Sequence, residues 1–345
     1  GNEADYNPTD TKQSTEVVIE GCNVTSIKDV YGGGNAAAAP ATDVWILACK
    51  QIENVFGGGN GELGPSHAAN VDGQTFVNLV GGTITNVYGG SNSNGDIRGG
   101  TNIQMPQQSA YTGTAILNSP ENCTLKTTNI YGGGKNADMS SGTSIVLGCM
   151  PDEWIGEIYA GAQAADVAGD VSLTITSGKF ERVFGGNKDS GKLEGSITVN
   201  IEETGECDVP IVIGELYGGG NLAGYSIYGY DGSDNPRTEE QLRTAISERD
   251  ENSGKTAEQI EEILQAEKYN DPKVNVRAFT SIGAIYGGGY SALMIGNPSV
   301  DINVAKGSHA GTAFAGTTRG DLHFPAHEAN KIGAIEKVFG GGNLA

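Results

Sequence analysis

Basic side chains are scarce in this chain, which has 21 Lys and Arg against 42 Asp and Glu and a formal net charge of −21. Nucleic-acid binding needs a concentrated basic face that neutralises phosphates, so this composition argues against a nucleic-acid partner. Long hydrophobic runs are also missing, since no stretch approaches the roughly 18 apolar residues that a membrane-spanning helix requires. We therefore expect neither a nucleic-acid partner nor a transmembrane segment.

Residues that carry catalytic or metal chemistry are few. The sequence has four histidines, and the spacing of His323 and His327 superficially fits a metal pair. Pro325 between them opposes the helix that would bring the two imidazoles together, so a loop is predicted. No Cys-His pair can be identified, and the glycine runs lack the Lys-Ser or Lys-Thr ending of a phosphate-binding loop. We expect no catalytic residue, no metal and no cofactor.

Glycine, by contrast, is abundant, with 54 residues, and it recurs within one motif. The pattern is an aliphatic residue, an aromatic residue and two or three glycines, often followed by Asn. Its aromatic residues are 25, 32, 43, 28, 25, 33, 69 and 53 positions apart, so a minimal unit near 25 residues is shared and the excess is inserted loop. The motif occurs at 30–35, 55–60, 87–90, 130–134, 158–161, 183–187, 216–221, 285–289 and 338–343.

Each repeat unit also contains a segment that alternates apolar and polar residues, which is typical of a strand with one buried face. Segments 44–46, 171–175, 196–201 and 300–304 have this pattern. A coil this short cannot bury its own apolar side, whereas coils stacked about 4.8 Å apart pair every strand and enclose a continuous interior. The sequence therefore predicts an all-β, right-handed parallel β-helix of about nine coils.

Two regions interrupt the period of this single predicted domain, 1–345. Residues 89–129 are predicted to form a long polar loop, and residues 222–274 a helical insertion. Thr238 and Thr256 each begin a capping-box pattern that is followed by apolar residues at helical spacing. Two short helices, joined near Gly254, are expected to pack against the rod. The last motif opens a repeat that nothing follows, which predicts that the chain is part of a longer protein.

The recurring Tyr-Gly-Gly-Gly-Asn units, such as 31–35 and 217–221, and the strands between them resemble the β-helical, adhesin-like surface proteins of gut-dwelling bacteria. Those proteins share their fold with pectin-lyase-like proteins. The resemblance covers most of the chain through the nine motifs. It implies secretion or anchoring at the bacterial cell surface, and contact with a polysaccharide, a host-surface glycan or a protein.

The Asn that ends many motifs suits a turn, because Asn tolerates the left-handed region and bonds locally through its amide. Stacked turns would align these amides into a ladder, for which we favour a structural role over ligand binding. The predicted members are Asn35, Asn60, Asn187, Asn221 and Asn343.

The five cysteines each precede a motif aromatic by seven to ten residues, which places them near one corner of successive coils. Stacking would bring Cys22 near Cys49 and Cys123 near Cys149, at distances that allow disulfides. The odd number argues against a complete disulfide framework, so we favour free buried thiols.

The motif aromatics, six Tyr and three Phe, align along the rod, and their direction decides their role. If the preceding aliphatic residues point inward, alternation sends the aromatics outward as a strip that could stack on sugar rings. If the aromatics point inward they are core, which the phenylalanines favour. The candidate ligand-binding residues of an outward strip are Tyr88, Tyr131 and Tyr217.

Enzymatic alternatives on the same fold need converging carboxylates. Asp170, Glu181, Asp189 and Glu194 stand at different offsets from the aromatic motif, so no cluster is predicted. Segments 89–97 and 231–235 partly echo calcium-binding loops, but neither is repeated and solvated turns are the default expectation. We expect a non-enzymatic surface protein that binds glycan or host-surface ligands. The alternatives are a polysaccharide lyase or glycoside hydrolase, and a structural spacer of a larger surface protein.

Overall fold

The computed structural model describes residues 14–61, 67–106, 110–113, 123–204, 207–268, 272–303 and 334–344. Most of its regular structure is extended. The strands are β1 (Thr15–Ile19), β2 (Ser26–Tyr31), β3 (Thr42–Ile46), β4 (Gln51–Phe56), β5 (Thr75–Leu79), β6 (Thr83–Tyr88), β7 (Thr101–Gln104), β8 (Lys126–Tyr131), β9 (Thr143–Leu147), β10 (Trp154–Tyr159), β11 (Val171–Ile175), β12 (Gly178–Phe184), β13 (Ile197–Glu202), β14 (Ile211–Tyr217), β15 (Tyr225–Ser226), β16 (Lys273–Ala278), β17 (Ser281–Tyr286), β18 (Met294–Ile295), β19 (Ser299–Ile302) and β20 (Ala334–Phe339).

These strands form a parallel β-helix, as the repeat predicts. The first nine-stranded sheet has the order β1-β3-β5-β7-β9-β11-β13-β16-β19, and the second has the order β2-β4-β6-β8-β10-β12-β14-β17-β20. Each coil contributes one strand to each sheet, the second of which ends at the motif aromatic, so the described chain contains nine coils. A third side consists of short parallel bridges, such as Ala39 to Val71 and Val71 to Ile97, and of the pair β15–β18.

The interior is filled by the aliphatic residues that alternation turns inward from both sheets. In the first sheet, Val44, Val77 and Ile103 align in successive coils and are at most 1% exposed. In the second sheet, the residue before each aromatic of the seven inner coils, such as Val55 or Ile130, is fully buried in the same cluster. Stacking thus supplies each coil with the apolar surroundings that it lacks alone.

A column of threonines ties the two sheets together inside the rod. The hydroxyls of Thr42, Thr75 and Thr101 donate hydrogen bonds to carbonyl oxygens of the glycine turns that follow the motif, at 2.6–2.7 Å. These threonines are at most 1% exposed, so the bonds satisfy polar groups that have no access to water. The first strand of a coil is thereby fixed to the turn that follows the second strand of the same coil.

The insertion after the seventh motif contains the two predicted helices, α1 (Glu239–Ser247) and α2 (Ala257–Lys268), with a 3₁₀ turn at Asp250–Asn252. Thr238 and Gln241 form the predicted capping box, and Thr256 and Gln259 exchange the same two bonds. The helices pack on each other through a separate apolar cluster that meets the rod interior through Tyr228. Among the described residues, no helix is long and apolar enough to cross a membrane. The buried residues of the cluster are Leu242, Ile246, Ile260 and Leu264.

The predicted long loop at 89–129 is wrong in part, because strand β7 lies within it and completes the fourth coil. The insertion is therefore confined to the residues between β7 and β8. Its described part leans back along the rod, where the Tyr111 ring lies 5.2 Å from that of Trp45 in the second coil. A single strand of four residues with little alternation gave no sequence signal distinct from its polar surroundings.

The prediction of free thiols is wrong for four of the five cysteines. Disulfides join Cys22 to Cys123 and Cys149 to Cys207, and Cys49 is free and buried. Neither disulfide is one of the pairs expected from adjacent coils, because each skips at least one coil of the stack. The spacing of motifs orders the coils, whereas an insertion returning along the rod brings Cys123 to the first coil.

Candidate functional site

The nine motif aromatics form one continuous stack along the outside of the second sheet. Neighbouring ring centroids are 4.7–5.3 Å apart and their planes lie within 8° of parallel. We call this stack the aromatic ladder. Its position follows from strand alternation, since the preceding aliphatic residues fill the interior and the rings therefore point away from it. The members are Tyr31, Phe56, Tyr88, Tyr131, Tyr159, Phe184, Tyr217, Tyr286 and Phe339.

Although the ladder faces outward, its central rings are buried. Tyr88 and Tyr131 are each 2% exposed and Tyr217 is fully buried. Each of these ring faces is covered by the rings of the neighbouring coils. Both alternatives drawn from the sequence are thus met in part, because the rings point outward yet form a second core. Ligand binding by these three tyrosines stays a prediction, and their ring faces are not open to a sugar in this structure.

Polar side chains cover the edges of the ladder from two columns, two residues before and four residues after each aromatic. The Tyr88 hydroxyl donates to Gln163 Oε1 at 2.7 Å, and the Tyr159 hydroxyl donates to Glu157 Oε2 at 2.9 Å. Lys188 Nζ donates to the Tyr131 hydroxyl at 3.2 Å and lies 5.7 Å from the centre of the same ring. The tyrosine hydroxyls are therefore engaged by neighbouring side chains.

Burial raises the pKa of the ladder tyrosines above the ordinary value. Desolvation is the main cause for Tyr88, Tyr131, Tyr159 and Tyr217. The nearby Glu157 carboxylate adds to the increase in the pKa of Tyr131 and Tyr159. These hydroxyls remain neutral hydrogen-bonding groups at physiological pH and do not act as bases.

Among the residues that the structure describes, the predicted asparagine ladder links only the first three coils. Asn60 donates to Asn35 Oδ1 at 2.7 Å, and Asn92, which sequence reasoning missed, donates to Asn60 Oδ1 at 2.8 Å. Asn187 was wrongly included, because it lies three rather than four residues after its aromatic. Its buried amide instead accepts a hydrogen bond from the Ala162 backbone N–H and donates one to the Ala165 carbonyl.

Asn221 and Asn343 also depart from the predicted ladder. Their amides donate to the hydroxyls of Tyr159 and Tyr217, at 3.4 and 3.2 Å. A further amide column, two residues before the aromatics, was not predicted at all. In it Asn54, Asn86 and Asn129 each donate to the preceding coil, beginning at Asp29, at 2.7–2.9 Å. Its sequence signal is the recurrence of Asp or Asn at this offset.

A pocket of about 320 Å³ opens where the helical insertion leaves the third side of the rod. Lys192 Nζ lies at its edge, 3.1 Å from Asp166 Oδ2 and 2.7 Å from Asp234 Oδ1. The half-buried ring of Tyr230 lines the same pocket, and its hydroxyl donates to the Gly224 carbonyl at 3.2 Å. We call it the insertion pocket. Its lining residues are Asp166, Gly191, Lys192, Gly224, Tyr225, Tyr230, Asp234, Pro236 and Leu293.

The three charged side chains of the insertion pocket are paired with one another. Hydrogen bonds to Asp234 and Asp166 raise the pKa of Lys192, which is therefore a stable cation. Burial, with Asp166 and Glu194 nearby, raises the pKa of Tyr230 to about 12. Sequence reasoning missed this site, because Asp166 and Lys192 belong to two different coils and Tyr230 to the insertion. Only Asp234 had been noted, in the oxygen-rich segment 231–235.

The calcium-like segments are used as turns. Asp231 Oδ1 accepts hydrogen bonds from the amides of Ser233 and Asn235, which lower the pKa of its carboxyl. The Asp96 carboxylate accepts bonds from the backbone and hydroxyl of Ser140. In the described part of the chain, no three His, Cys, Asp or Glu side chains are grouped so that they could hold a metal ion. The sequence pair His323 and His327 lies outside the described residues.

The four acidic residues considered for catalysis have different surroundings. Asp170 accepts bonds from the backbone and hydroxyl of Ser196, and Asp189 accepts a bond from Gln163. Glu194 lies near Tyr230, whose pKa it raises, and Glu181 lies on β12 in the second sheet.

Comparison of the chain with protein-family models, curated proteins and solved structures gave no match.

Proposed function

We propose that this protein is a non-enzymatic, secreted surface rod that binds a saccharide in the insertion pocket. The observation that carries the proposal is the pairing of the half-buried Tyr230 ring with the Lys192 ammonium, which lies between the carboxylates of Asp166 and Asp234. An aromatic ring offers a flat apolar surface to the C–H face of a sugar ring. The three charged groups offer donors and acceptors to its hydroxyls.

The size and charge of the pocket narrow the class of ligand. A volume of about 320 Å³ is at the lower end of the range for small-ligand pockets, roughly 300–1,000 Å³, and suits one or two sugar units. Two carboxylates and one ammonium leave a local charge of −1, which disfavours sulfated or uronate-rich polymers. Neutral or N-acetylated sugars at the end or branch of a glycan fit this arrangement best.

Two further observations support a role in binding rather than catalysis at the cell exterior. Both pocket carboxylates already accept hydrogen bonds from Lys192, so neither is placed to protonate a glycosidic oxygen. The two disulfides are typical of proteins that mature in an oxidising compartment. These features favour a secreted binding rod over a polysaccharide lyase or glycoside hydrolase.

The test exposes the purified chain to immobilised plant, mucin and bacterial polysaccharides, and measures both retention and polymer length. We expect retention without shortening of the polymer. Tyr230→Ala and Lys192→Ala should each weaken retention at least tenfold, or about 1.4 kcal/mol. Trp154→Ala is the matched control, since Trp154 is a partly exposed aromatic outside the pocket.

Each alternative has its own outcome. Shortening of any polymer would overturn the non-enzymatic proposal. Retention that Tyr230→Ala leaves unchanged would move the site elsewhere, and variants of Tyr88, Tyr131 and Tyr217 would then test the aromatic ladder. No retention on any polymer would contradict saccharide binding and leave the function of a structural spacer.

A further inference from the structure

Three of the five cysteines meet at one corner of the rod, where the first coils pass from the first sheet to the second. A disulfide joins Cys22 to Cys123, and the buried thiol of Cys49 lies in the connection of the second coil. We propose that these residues form a thiol-disulfide exchange site, in which Cys49 displaces Cys22 from Cys123. The proposal is independent of the insertion pocket.

Backbone hydrogen bonds hold the connections of the first two coils side by side. Before the two cysteines, the Ile19 carbonyl accepts a bond from the Leu47 N–H at 3.0 Å. After them, the Thr25 carbonyl accepts a bond from the Lys50 N–H at 2.9 Å. The disulfide and the free thiol therefore belong to matching stretches of neighbouring corners.

Cys123 lies against the same corner, at the end of the insertion that precedes β8. Its sulfur is 3.7 Å from the Cys49 carbonyl oxygen, and its own carbonyl accepts a bond from the Gly82 N–H at 3.2 Å. Gly82, in the corner of the third coil, also packs on Cys49, since a Cβ added to it would lie 2.4 Å from Cys49 Sγ. The thiol and the disulfide are thus packed around one glycine.

The exchange needs no oxidant or reductant, because it moves a disulfide within the chain. The Cys49 thiol loses its proton, and the resulting thiolate attacks Cys123 Sγ. A bond forms between these two sulfurs, the bond from Cys123 to Cys22 breaks, and Cys22 leaves as a thiolate that takes up a proton. One disulfide and one thiol exist at this corner before and after the step.

The exchange moves the free thiol from the interior to the surface. Cys49 is 1% exposed, whereas Cys22 is half-buried and is followed by the exposed residues Asn23 and Val24. The insertion before β8 becomes tied to the second coil in place of the first. A protected thiol is therefore replaced by one that reagents in solution reach.

Burial of the Cys49 side chain keeps the exchange slow at neutral pH. It raises the pKa of the thiol to about 11, an increase that the hydrogen bond to the Thr83 carbonyl, at 3.6 Å, reduces only in part. The charged side chains in the described parts of these connections are Glu20 and Lys50. Below the pKa, the thiolate fraction and the exchange rate rise about tenfold per pH unit.

The test incubates the wild-type protein with iodoacetamide at pH 7 and at pH 9, where the buried tyrosines of the aromatic ladder are still protonated. Peptide mapping follows the alkylated residue over time. We expect alkylation of Cys22 together with a new disulfide between Cys49 and Cys123, at a rate about 100-fold higher at pH 9 and independent of protein concentration. Alkylation of Cys49 with the original disulfide intact, or release of Cys123, would overturn the proposal.

Two controls separate this exchange from general scrambling of disulfides. In Cys49→Ala, Cys22 should stay unalkylated at both pH values. The disulfide between Cys149 and Cys207 has no third cysteine at its corner, and it should stay intact in both proteins. Loss of that disulfide at the same rate, or alkylation of Cys22 without Cys49, would contradict an exchange confined to these three residues.

The variant Cys22→Ser tests the second pairing directly. After oxidative folding it should contain a disulfide between Cys49 and Cys123, and circular dichroism should match that of the wild type. Two free thiols at these positions in the folded variant would show that their sulfurs do not meet. Saccharide retention does not enter any of these measurements, so they stand apart from the test of the proposed function.

Discussion

Glycine sets how closely neighbouring coils approach. At Gly57, Gly89 and Gly185, each the first glycine of its motif, the backbone lies against the carbonyl of the next motif and against an interior side chain of the first sheet. An alanine Cβ at position 185 would lie 2.6 Å from Ile197 Cγ2 and closer still to the Gly218 carbonyl oxygen. Space therefore favours glycine at this position, where the backbone conformation is ordinary, and the fifth motif fits the smallest side chain there, that of the buried Ala160.

Gly185→Ala should destabilise the rod by about 1–3 kcal/mol, because the added methyl group forces two coils apart. Chemical denaturation followed by far-ultraviolet circular dichroism measures the change in the free energy of unfolding. Gly232→Ala is the control, since nothing lies within 4 Å of a Cβ added there, and it should change stability by less than about 0.5 kcal/mol. Equal effects of the two substitutions would contradict the spatial argument.

Among the elements, the strands are uniform and the connections differ. The rod accommodates a long loop after β7 and a helix pair after β14 without a change in strand register. Both insertions leave the rod at corners between strands, so no strand pairing is lost. All four disulfide cysteines lie in connections that lead from the first sheet to the second, and each disulfide links coils that are not neighbours. Their pairing is a direct check on how the connections are traced.

The denatured, unreduced protein should react with a thiol reagent at one site per chain, Cys49. The native protein should not react at that site, because Cys49 is 1% exposed and burial raises the pKa of its thiol to about 11. Peptide mapping should recover Cys22 with Cys123 and Cys149 with Cys207. Full reduction should expose all five thiols. Five reactive thiols before reduction would contradict both disulfides.

Over the whole molecule, the rod has two parallel cores, the aliphatic interior and the aromatic ladder outside the second sheet. The ladder tyrosines keep their protons in the folded state, since burial raises their pKa, whereas in the unfolded chain they titrate near pH 10. A raised pKa in the folded state means that this contribution to stability is complete below about pH 10. It is lost as the pH rises further, because only the unfolded state releases protons.

The urea midpoint should therefore fall between about pH 9.5 and pH 11. Replacing Tyr88, Tyr131 and Tyr159 by Phe keeps the stacked rings and should flatten this dependence. Both proteins should carry Cys49→Ala, so that alkaline thiol exchange does not contribute. A pH dependence that the Phe variant reproduces in full would mean that the ladder hydroxyls are not its source.

The sequence by itself determined the coil. The motif, its spacing and the alternation before it predicted nine stacked coils, and the capping boxes at Thr238 and Thr256 predicted the helices, since all of these depend on residues close together in the chain. The direction of the candidate tyrosines stayed open between an outward strip and the core. Alternation fixes the direction of a side chain relative to its own strand, but not what covers it.

Only the tertiary structure decided which distant residues meet. The burial of the aromatic ladder depends on rings from three successive coils, and the charged edge of the insertion pocket on Asp166, Lys192 and Asp234, which lie in two coils and an inserted turn. The disulfide between Cys22 and Cys123 depends on the path of an insertion. Contacts of this kind form when coils stack, so local sequence patterns carry no record of them.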